Sequence, residues 1–428
     1  MNRVRGSSPD AGIRPLSPLR DFLRTESAGA VLLAASALVA LVWANSPMSG
    51  SYDSLWETRF AVSLAGHSLD LDLRHWVNDG LMTVFFLVVG LEIKRELTSG
   101  HLADRRSAML PAIAALGGMV VPALVYLVIA GASAPRGWAI PMATDIALAV
   151  GVLSAAGSRV PSSLRAFLLG LAVVDDIGAI IIIAAVYSTG VTAGWLAASV
   201  AGVLIVVFLR RFGSRSVWVY TVLGAVTWLG LLNGGVHPTI AGVVMGLLAP
   251  ASPHRSPEYA DIEDLEGLGV ESVRLATSRA RDTVSTVEWL QHVLHPWTSF
   301  VIVPVFALAN SGIHLSLEGL RDAAGSPVTW GVFFGLLLGK PVGVLLATRA
   351  AVRLGVADQP SGAGSRQVLG VGFAAGVGFT VAIFITKLAL PAEADQANAK
   401  LAILVASVLA AAVSGLLLRF GRVRNSNT

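Results

Sequence analysis

AIPMATDIALAV, residues 139–150, and LAVVDDIGAIIII, residues 171–183, set Asp145, Asp175 and Asp176 inside long apolar runs. An ionised carboxylate in the middle of a hydrocarbon slab is costly, and such residues face a bundle interior and mark pathways or partners. With Thr144 beside one acid and the break-prone Pro141 just upstream, the cluster has the chemistry of a small-cation and proton site. The bland alternative is that each aspartate caps or pairs locally. It weakens with every further buried charge, and a buried lysine follows later in the chain.

The composition extends the same reading to the whole chain. Hydrophobic residues make up 54% of the 428 and charged residues only 14%, with a mean hydropathy of +0.70. These values exclude an ordinary soluble domain and indicate a polytopic membrane protein. Cysteine is absent, which rules out disulfides, thiol catalysis and Cys-ligated metal. No basic cluster interleaved with aromatics suggests nucleic acid. The first apolar run follows a basic N-terminus but lacks a clean small-x-small cleavage site, so it reads as a span rather than a signal peptide.

About twelve apolar segments have spanning length: 27–45, 76–93, 108–130, 139–157, 165–187, 194–209, 217–232, 236–250, 298–314, 328–347, 367–387 and 399–418. In lipid their backbones must satisfy themselves, which makes them helices and the fold all-α. With the N-terminus inside, the outer segments hold only Arg59, Arg74, Arg136, Arg321, Lys387 and Lys400, while 24 of the 31 lysines and arginines fall inside and Lys340 stays in the membrane. That bias puts both termini in the cytoplasm of a multi-pass inner or plasma membrane protein.

The expected organisation is one membrane domain, residues 1–428, with a cytoplasmic segment 1–26, an external loop 46–75, a cytoplasmic loop 251–295 and a tail 419–428. FAVSLAGHSLDLDL, residues 60–73, alternates with period two around an Ala65-Gly66-His67-Ser68 turn and reads as a β-hairpin, an irregular loop being the alternative. The charged stretch 251–295 is expected to be a solvated connection that ends in a helical 272–294.

Lys340 lies in FFGLLLGKPVGVLL, residues 333–346, with no other charge within eight positions. It needs a carboxylate partner or must give up its proton. The string is no phosphate loop, because the glycine spacing is wrong and Pro341 stands where Ser or Thr is required. GFAAGVGFTVAIF, residues 372–384, interrupts another apolar helix with Gly372, Gly376, Gly378 and Thr380. Interrupted helices in both halves of a chain point to a midplane site between inverted repeats. The freed helix ends would carry partial charges that Asp145 and Lys340 could offset.

NDGLMTVFFLVVGLEIKREL, PMATDIALAVGVLS, LAVVDDIGAIIII, LNGGVHPTIAGVVMGLL, LHPWTSFVIVPVFALANSG, GLLLGKPVGV and GVGFTVAIFI, in this order, resemble the NhaA sodium/proton antiporters from about Thr25 to Arg419. NhaA is one of the transporters from which the inverted-repeat rule is drawn, so the two indications are not independent. The resemblance implies twelve spans with inverted-topology repeats, and two crossing discontinuous helices around Thr144 and Asp145 and around Gly376 to Thr380. It implies electrogenic, pH-regulated exchange of cytoplasmic Na⁺ or Li⁺ for external protons, with no cofactor beyond the transported ions. By position, Asp176 is the principal cation ligand and Asp175 the partner of Lys340 and second acid. Thr144 and Asp145 support them, and Thr144 and Asp175 complete the cation's ligand set. Glu92, Lys94, Arg95 and Glu96 match the cytoplasmic charges where pH regulation is placed; Asp79 and His237 match motifs without an assigned role. The 251–295 connection is longer than is usual in the family. A homodimer joined through the 60–73 hairpin is implied, with membrane lipid as the other partner.

Two other functions fit the residues less well. An intramembrane aspartyl protease needs facing aspartates, whereas Asp175 and Asp176 are adjacent and project about 100° apart on a helix. A passive channel would show rings or repeated filter carbonyls rather than one asymmetric acid cluster. The chain is thus expected to be a transporter and not an enzyme. Cysteines placed at Ser278 and Ser326 of this Cys-free chain are expected to label from opposite sides of intact cells, the first only after permeabilisation. Labelling of both from outside would overturn the map of spans.

Overall fold

A segment that cannot hydrogen-bond to lipid closes its own backbone bonds, and the computed structural model is accordingly almost all helix. It describes residues 17–64, 67–100, 102–157, 160–188, 190, 192–212, 217–251, 284–361 and 363–419. Helix α1 is Ser17–Ala44 and α2 is Ser49–Glu57; strands β1 (Arg59–Leu64) and β2 (His67–Asp72) follow. Then come α3 (Leu73–Thr98), α4 (Arg105–Ala130), a 3-10 turn Pro135–Met142, α5 (Ile146–Ala155) and α6 (Ser162–Val186). Helices α7 (Ala193–Arg211), α8 (Val217–Gly234) and α9 (Thr239–Leu248) precede the loop. After it stand α10 (Thr286–Asn310), α11 (Leu317–Gly325), α12 (Pro327–Arg353), α13 (Ser365–Ala375), α14 (Phe379–Ala389) and α15 (Glu393–Arg419).

Among the described residues ten helices are long and apolar enough to cross a membrane, and the bent pair α13–α14 makes an eleventh. The one expected span left over, 236–250, the eighth in order, is the short α9. Ten residues rise about 15 Å, half of the ~30 Å hydrocarbon core. The chain sets that length itself: Gly235 turns with φ +75°, Pro238 stands at the start, and Ala249 is extended before Pro250, as a residue preceding proline prefers.

Two further expectations are corrected. The helix entering the ninth span starts at Thr286, inside the stretch 272–294 expected to be helical but assigned to the solvated connection, and reaches only Asn310 rather than 314. Ser285 caps it by accepting the Glu288 N–H at 3.2 Å, a Ser-x-x-Glu start that the sequence carries. Val287 then buries against Leu91 of α3 and Ala249. In the hairpin, β1 and β2 pair antiparallel from Arg59↔Asp72 to Leu64↔His67. His67 and Ser68 therefore belong to the strand and not to the turn; 65–66 lie outside the described residues. So do residues 1–16 of the N-terminal segment, 252–283 of the long loop and 420–428 of the tail.

Outer faces are apolar and inner ones hold the charges. Val128 is 86% and Val408 67% exposed, while Lys340 and Asp175 are at 0% and 1%. That inversion suits a lipid surround. Two units repeat one order of parts: an unbroken span, a broken one, an unbroken one. They are α4, the 3-10 turn with α5, and α6; then α12, α13 with α14, and α15. Their first members lie backbone to backbone, because a Cβ on Gly117 or on Gly343 would strike the other glycine's carbonyl. Small residues are how helices approach this closely in membranes.

Candidate functional site

Two helices break where they cross. In the first unit the 3-10 turn stops at Met142, Ala143 is extended, and α5 begins after Asp145. In the second, Gly376–Gly378 separates α13 from α14, whose axes differ by 51°. The breaks are stitched together by the Asp145 N–H, which donates to the Val377 carbonyl at 2.7 Å. A Cβ at Gly378 would come within 2.7 Å of the Ala143 carbonyl, so only glycine permits the crossing.

Four helix ends consequently meet in the interior. At the two N-terminal ends stands one carboxylate. Asp145 Oδ1 accepts the Leu148 N–H of α5 at 3.1 Å, and Oδ2 accepts the Thr380 N–H and hydroxyl of α14 at 3.1 and 2.7 Å. A negative charge at two positive helix ends is the favourable sign. At the C-terminal ends, the Met142 carbonyl accepts from Lys340 Nζ, and the Ala375 carbonyl lies 2.9 Å from Thr144 Oγ1.

Lys340 also makes the one fully buried ion pair among the described residues. Its Nζ is 2.5 Å from Asp175 Oδ2, and Thr144 Oγ1 is 2.6 Å from the same oxygen. The other oxygen, Asp175 Oδ1, is buried with no hydrogen-bond partner. Lys340 follows a π-helical turn, Gly335–Gly339, which interrupts the i→i−4 ladder just before it. Gly339 lies against Pro122 of α4 and Gly335 against Pro141, close approaches that bring this turn beside the first break.

Asp176 is offset around α6 from its neighbour and stays 7% exposed. It forms no hydrogen bond or ion pair with the described residues, though the charges of Asp175, Glu92, Lys340 and Asp145 act on it. Among the described residues no three His, Asp or Glu side chains converge as a resident metal site would require. Of the cytoplasmic-end candidates, Glu92, Lys94, Arg95 and Glu96 occupy the last turns of α3. Arg95 and Glu96 pair at 3.7 Å, and Glu92 is the member whose field reaches Asp176.

Asp79 and His237 are not part of this constellation. Asp79 sits in a second π-helical turn, Trp76–Leu81, and its carbonyl accepts from Thr83 and from Trp228 Nε1. The His237 ring lies 3.0 Å from Thr239 Oγ1 and edge-on to Phe384. Sequence reading gives Thr380 no ligand role and has no access to the Met142 and Ala375 carbonyls; a polar residue directly after a glycine break is the available signal. It also misses the buried Asn310–Asn78 side-chain hydrogen bond of 2.9 Å.

Three comparisons bear on this geometry. A family model described as Na+/H+ antiporter 1 matches residues 20–418. The Na(+)/H(+) antiporter NhaA 2 of Sorangium cellulosum is 45% identical over 416 residues, 93% of this chain and 88% of that protein. The Na(+)/H(+) antiporter NhaA of Oleidesulfovibrio alaskensis is 42% identical over 435 residues, 97% and 96% of the two. Among solved structures, the sodium proton antiporter MjNhaP1 from Methanocaldococcus jannaschii at pH 8 aligns over 94% of this chain and 98% of that one, with a TM-score of 0.49 at 15% identity, too loose to place any residue.

The ion pair makes a sharp stability prediction. Asp175→Asn leaves Lys340 buried without its counter-charge, which typically costs about 3–5 kcal/mol. Purified Asp175→Asn should melt well below wild type, and Asp175→Asn/Lys340→Met should regain most of the loss. A double mutant no more stable than the single would show that the pair is not what holds this crossing.

Proposed function

The chain belongs to the Na+/H+ antiporter 1 family and is a multi-pass membrane Na⁺/H⁺ antiporter, and we propose that Asp176 is its principal cation ligand. One observation carries this reading: of the two adjacent buried acids, Asp175 is engaged by Lys340 and Thr144, whereas Asp176 keeps its oxygens free of the described residues' hydrogen bonds. A small hard cation takes oxygen ligands, and a carboxylate offers them only after losing its proton. Na⁺ and H⁺ then compete for one group. Exposing that group alternately to the two sides turns competition into exchange without covalent chemistry.

In this mechanism Asp175 and Lys340 form a second titrating unit. Cation entry at Asp176 would loosen the pair, so more than one proton can return per Na⁺, which makes the exchange electrogenic. Thr144 and Asp145 hold the break in shape, and Asp175 and Thr144 lend oxygens to the cation once the pair opens. Li⁺ would use the same oxygens. The charge bias supports cytoplasmic termini and an inner-membrane location, with cytoplasmic Na⁺ leaving as external protons enter. The transported ions are then the only small molecules the cycle needs.

Glu92 supports a regulatory reading for the end of α3, since it couples electrostatically to Asp176 while Arg95 and Glu96 pair beside it. Coupled charges titrate as a group. A homodimer through residues 60–73 is supported by the free edges of the two-stranded sheet and by Phe60 and Val62, 56% and 46% exposed.

In everted vesicles, Na⁺ addition should dissipate a preformed pH gradient with wild type and not at all with Asp176→Asn. Na⁺ flux without counter-moving protons would instead mean a channel, and normal exchange by the mutant would remove Asp176 from the site. In the same assay run across pH, Glu92→Cys should displace the profile along the pH axis; a profile merely scaled down would make the cluster an ordinary solvated helix end. Deleting residues 61–72 should shift the purified protein toward monomer with some exchange retained, and an unchanged crosslinked fraction would put the interface elsewhere.

A further inference from the structure

A cavity of about 410 Å³ opens at the far end of α12, where that span and α13 reach the same face of the bundle. Its polar lining is Thr348, Arg349 and Arg353 from α12, Gln359 from the connection, and Ser365, the first residue of α13. Arg349 and Arg353 share one exposed face of the helix, and the buried Thr348 lies about 100° around it from Arg349. The arginines are one turn apart, so both guanidiniums serve the same space. Neither is in an ion pair among the described residues, and no acid lines the cavity; the nearest in sequence, Asp358, precedes Gln359.

Thr348 supplies the independent sign of a ligand. It is 2% exposed, it lines the cavity, and its Oγ1 is buried with no hydrogen-bond partner. Serine and threonine hydroxyls inside membrane helices usually bond back to a carbonyl one turn earlier, as Thr386 does to Ala382. A buried hydroxyl left unmatched costs free energy that a ligand atom would recover. The remaining elements agree in sign. The start of α13 points its positive end here, and arginine pairs are suited to bidentate contact with phosphate.

We propose that this cavity binds a phosphate oxyanion, carried by a phospholipid headgroup or present as free phosphate. Arg349 and Arg353 hold its charge, and Thr348 and Ser365 donate or accept at the remaining oxygens. The apolar part of the wall, Leu345, Val352 and Val368, gives a lipid's glycerol and upper acyl carbons a place that free phosphate would leave unused. The site is remote from the ion pair and independent of the roles assigned to Asp175 and Asp176.

The test uses delipidated full-length protein in uncharged detergent, titrated separately with dioctanoyl phosphatidylglycerol and with inorganic phosphate, and read by thermal shift and native mass spectrometry. Saturable binding of the lipid is expected. Arg349→Gln/Arg353→Gln should weaken it about tenfold or more, as expected for losing charge-assisted hydrogen bonds, and Thr348→Val should weaken it several-fold. Arg105→Gln/Arg106→Gln, an exposed arginine pair at another helix end, should bind like wild type. Inorganic phosphate showing the same variant dependence while the lipid does not would identify free phosphate as the source. Equal binding by wild type and Arg349→Gln/Arg353→Gln, or equal weakening by the Arg105/Arg106 variant, would overturn the proposal. Where the double arginine variant fails to fold, Thr348→Val decides, and unchanged affinity for both ligands overturns it as well.

Discussion

Two helices that stop inside a membrane leave backbone groups and about half an elementary charge at each end, in a medium with no water to answer them. The rest of the structure depends on how those ends are answered. Asp145 serves both N-terminal ends with a single carboxylate, and the C-terminal ends receive Lys340 Nζ and the Thr144 hydroxyl. Neither charge could remain ionised there alone. Each is stable because the broken helices present partial charges of the opposite sign, and the breaks persist because those charges are present. Removing either party strands the other.

Much of the surrounding packing delivers Lys340 to that place. Gly117 and Gly343 let α4 and α12 touch by backbone, the π-helical turn at Gly335–Gly339 interrupts α12 just ahead of the lysine, and Pro122 and Pro141 accept the two glycines of that turn. A lysine stem has ample freedom in water. Here its head is shared between a carbonyl and a carboxylate, and among the described residues no other polar group but Thr144 competes for Asp175 Oδ2. The consequence is an asymmetry between neighbours: Asp175 is bound into the scaffold, and Asp176, about 100° around the same helix, has no hydrogen bond or ion pair with the described residues.

The parts of this site that are legible in the sequence are those that are expensive. Asp145, Asp175, Asp176 and Lys340 stand out because an ionisable group in an apolar run is costly unless it is paired or used, and Gly376 to Thr380 because glycine disfavours helix continuity. The hairpin is legible from its alternation, although its turn is shorter than the residue types suggest, by His67 and Ser68. What stays hidden has no side-chain signature. The Met142, Ala375 and Val377 carbonyls are open to hydrogen bonds from Lys340, Thr144 and the Asp145 N–H only because the chain stops being helical beside them. The start of α10 is legible as helix, within 272–294, but not as part of the span, because the charge-rich neighbours of Ser285 and Glu288 lower its hydropathy. The short α9 shows the opposite error, since apolar length runs on through Pro238 and Pro250, where a helix does not continue.

Helix α12 links the two ends of the molecule's chemistry. Lys340 opens the segment Lys340–Arg353, and Thr348, Arg349 and Arg353 lie further along it. Lys340 and Arg349 are nine residues apart, about 14 Å of rise, with no break between them. If Asp176 is the alternately exposed ligand proposed above, the bundle has to move around the Asp175–Lys340 pair, and a continuous helix transmits rotation or sliding along its whole length. Any such motion of α12 is therefore felt at the arginine-lined cavity as a change in where two guanidiniums point. By reciprocity, an anion that binds one arrangement of those arginines better than another must bias the helix, and with it the lysine, by the same free energy.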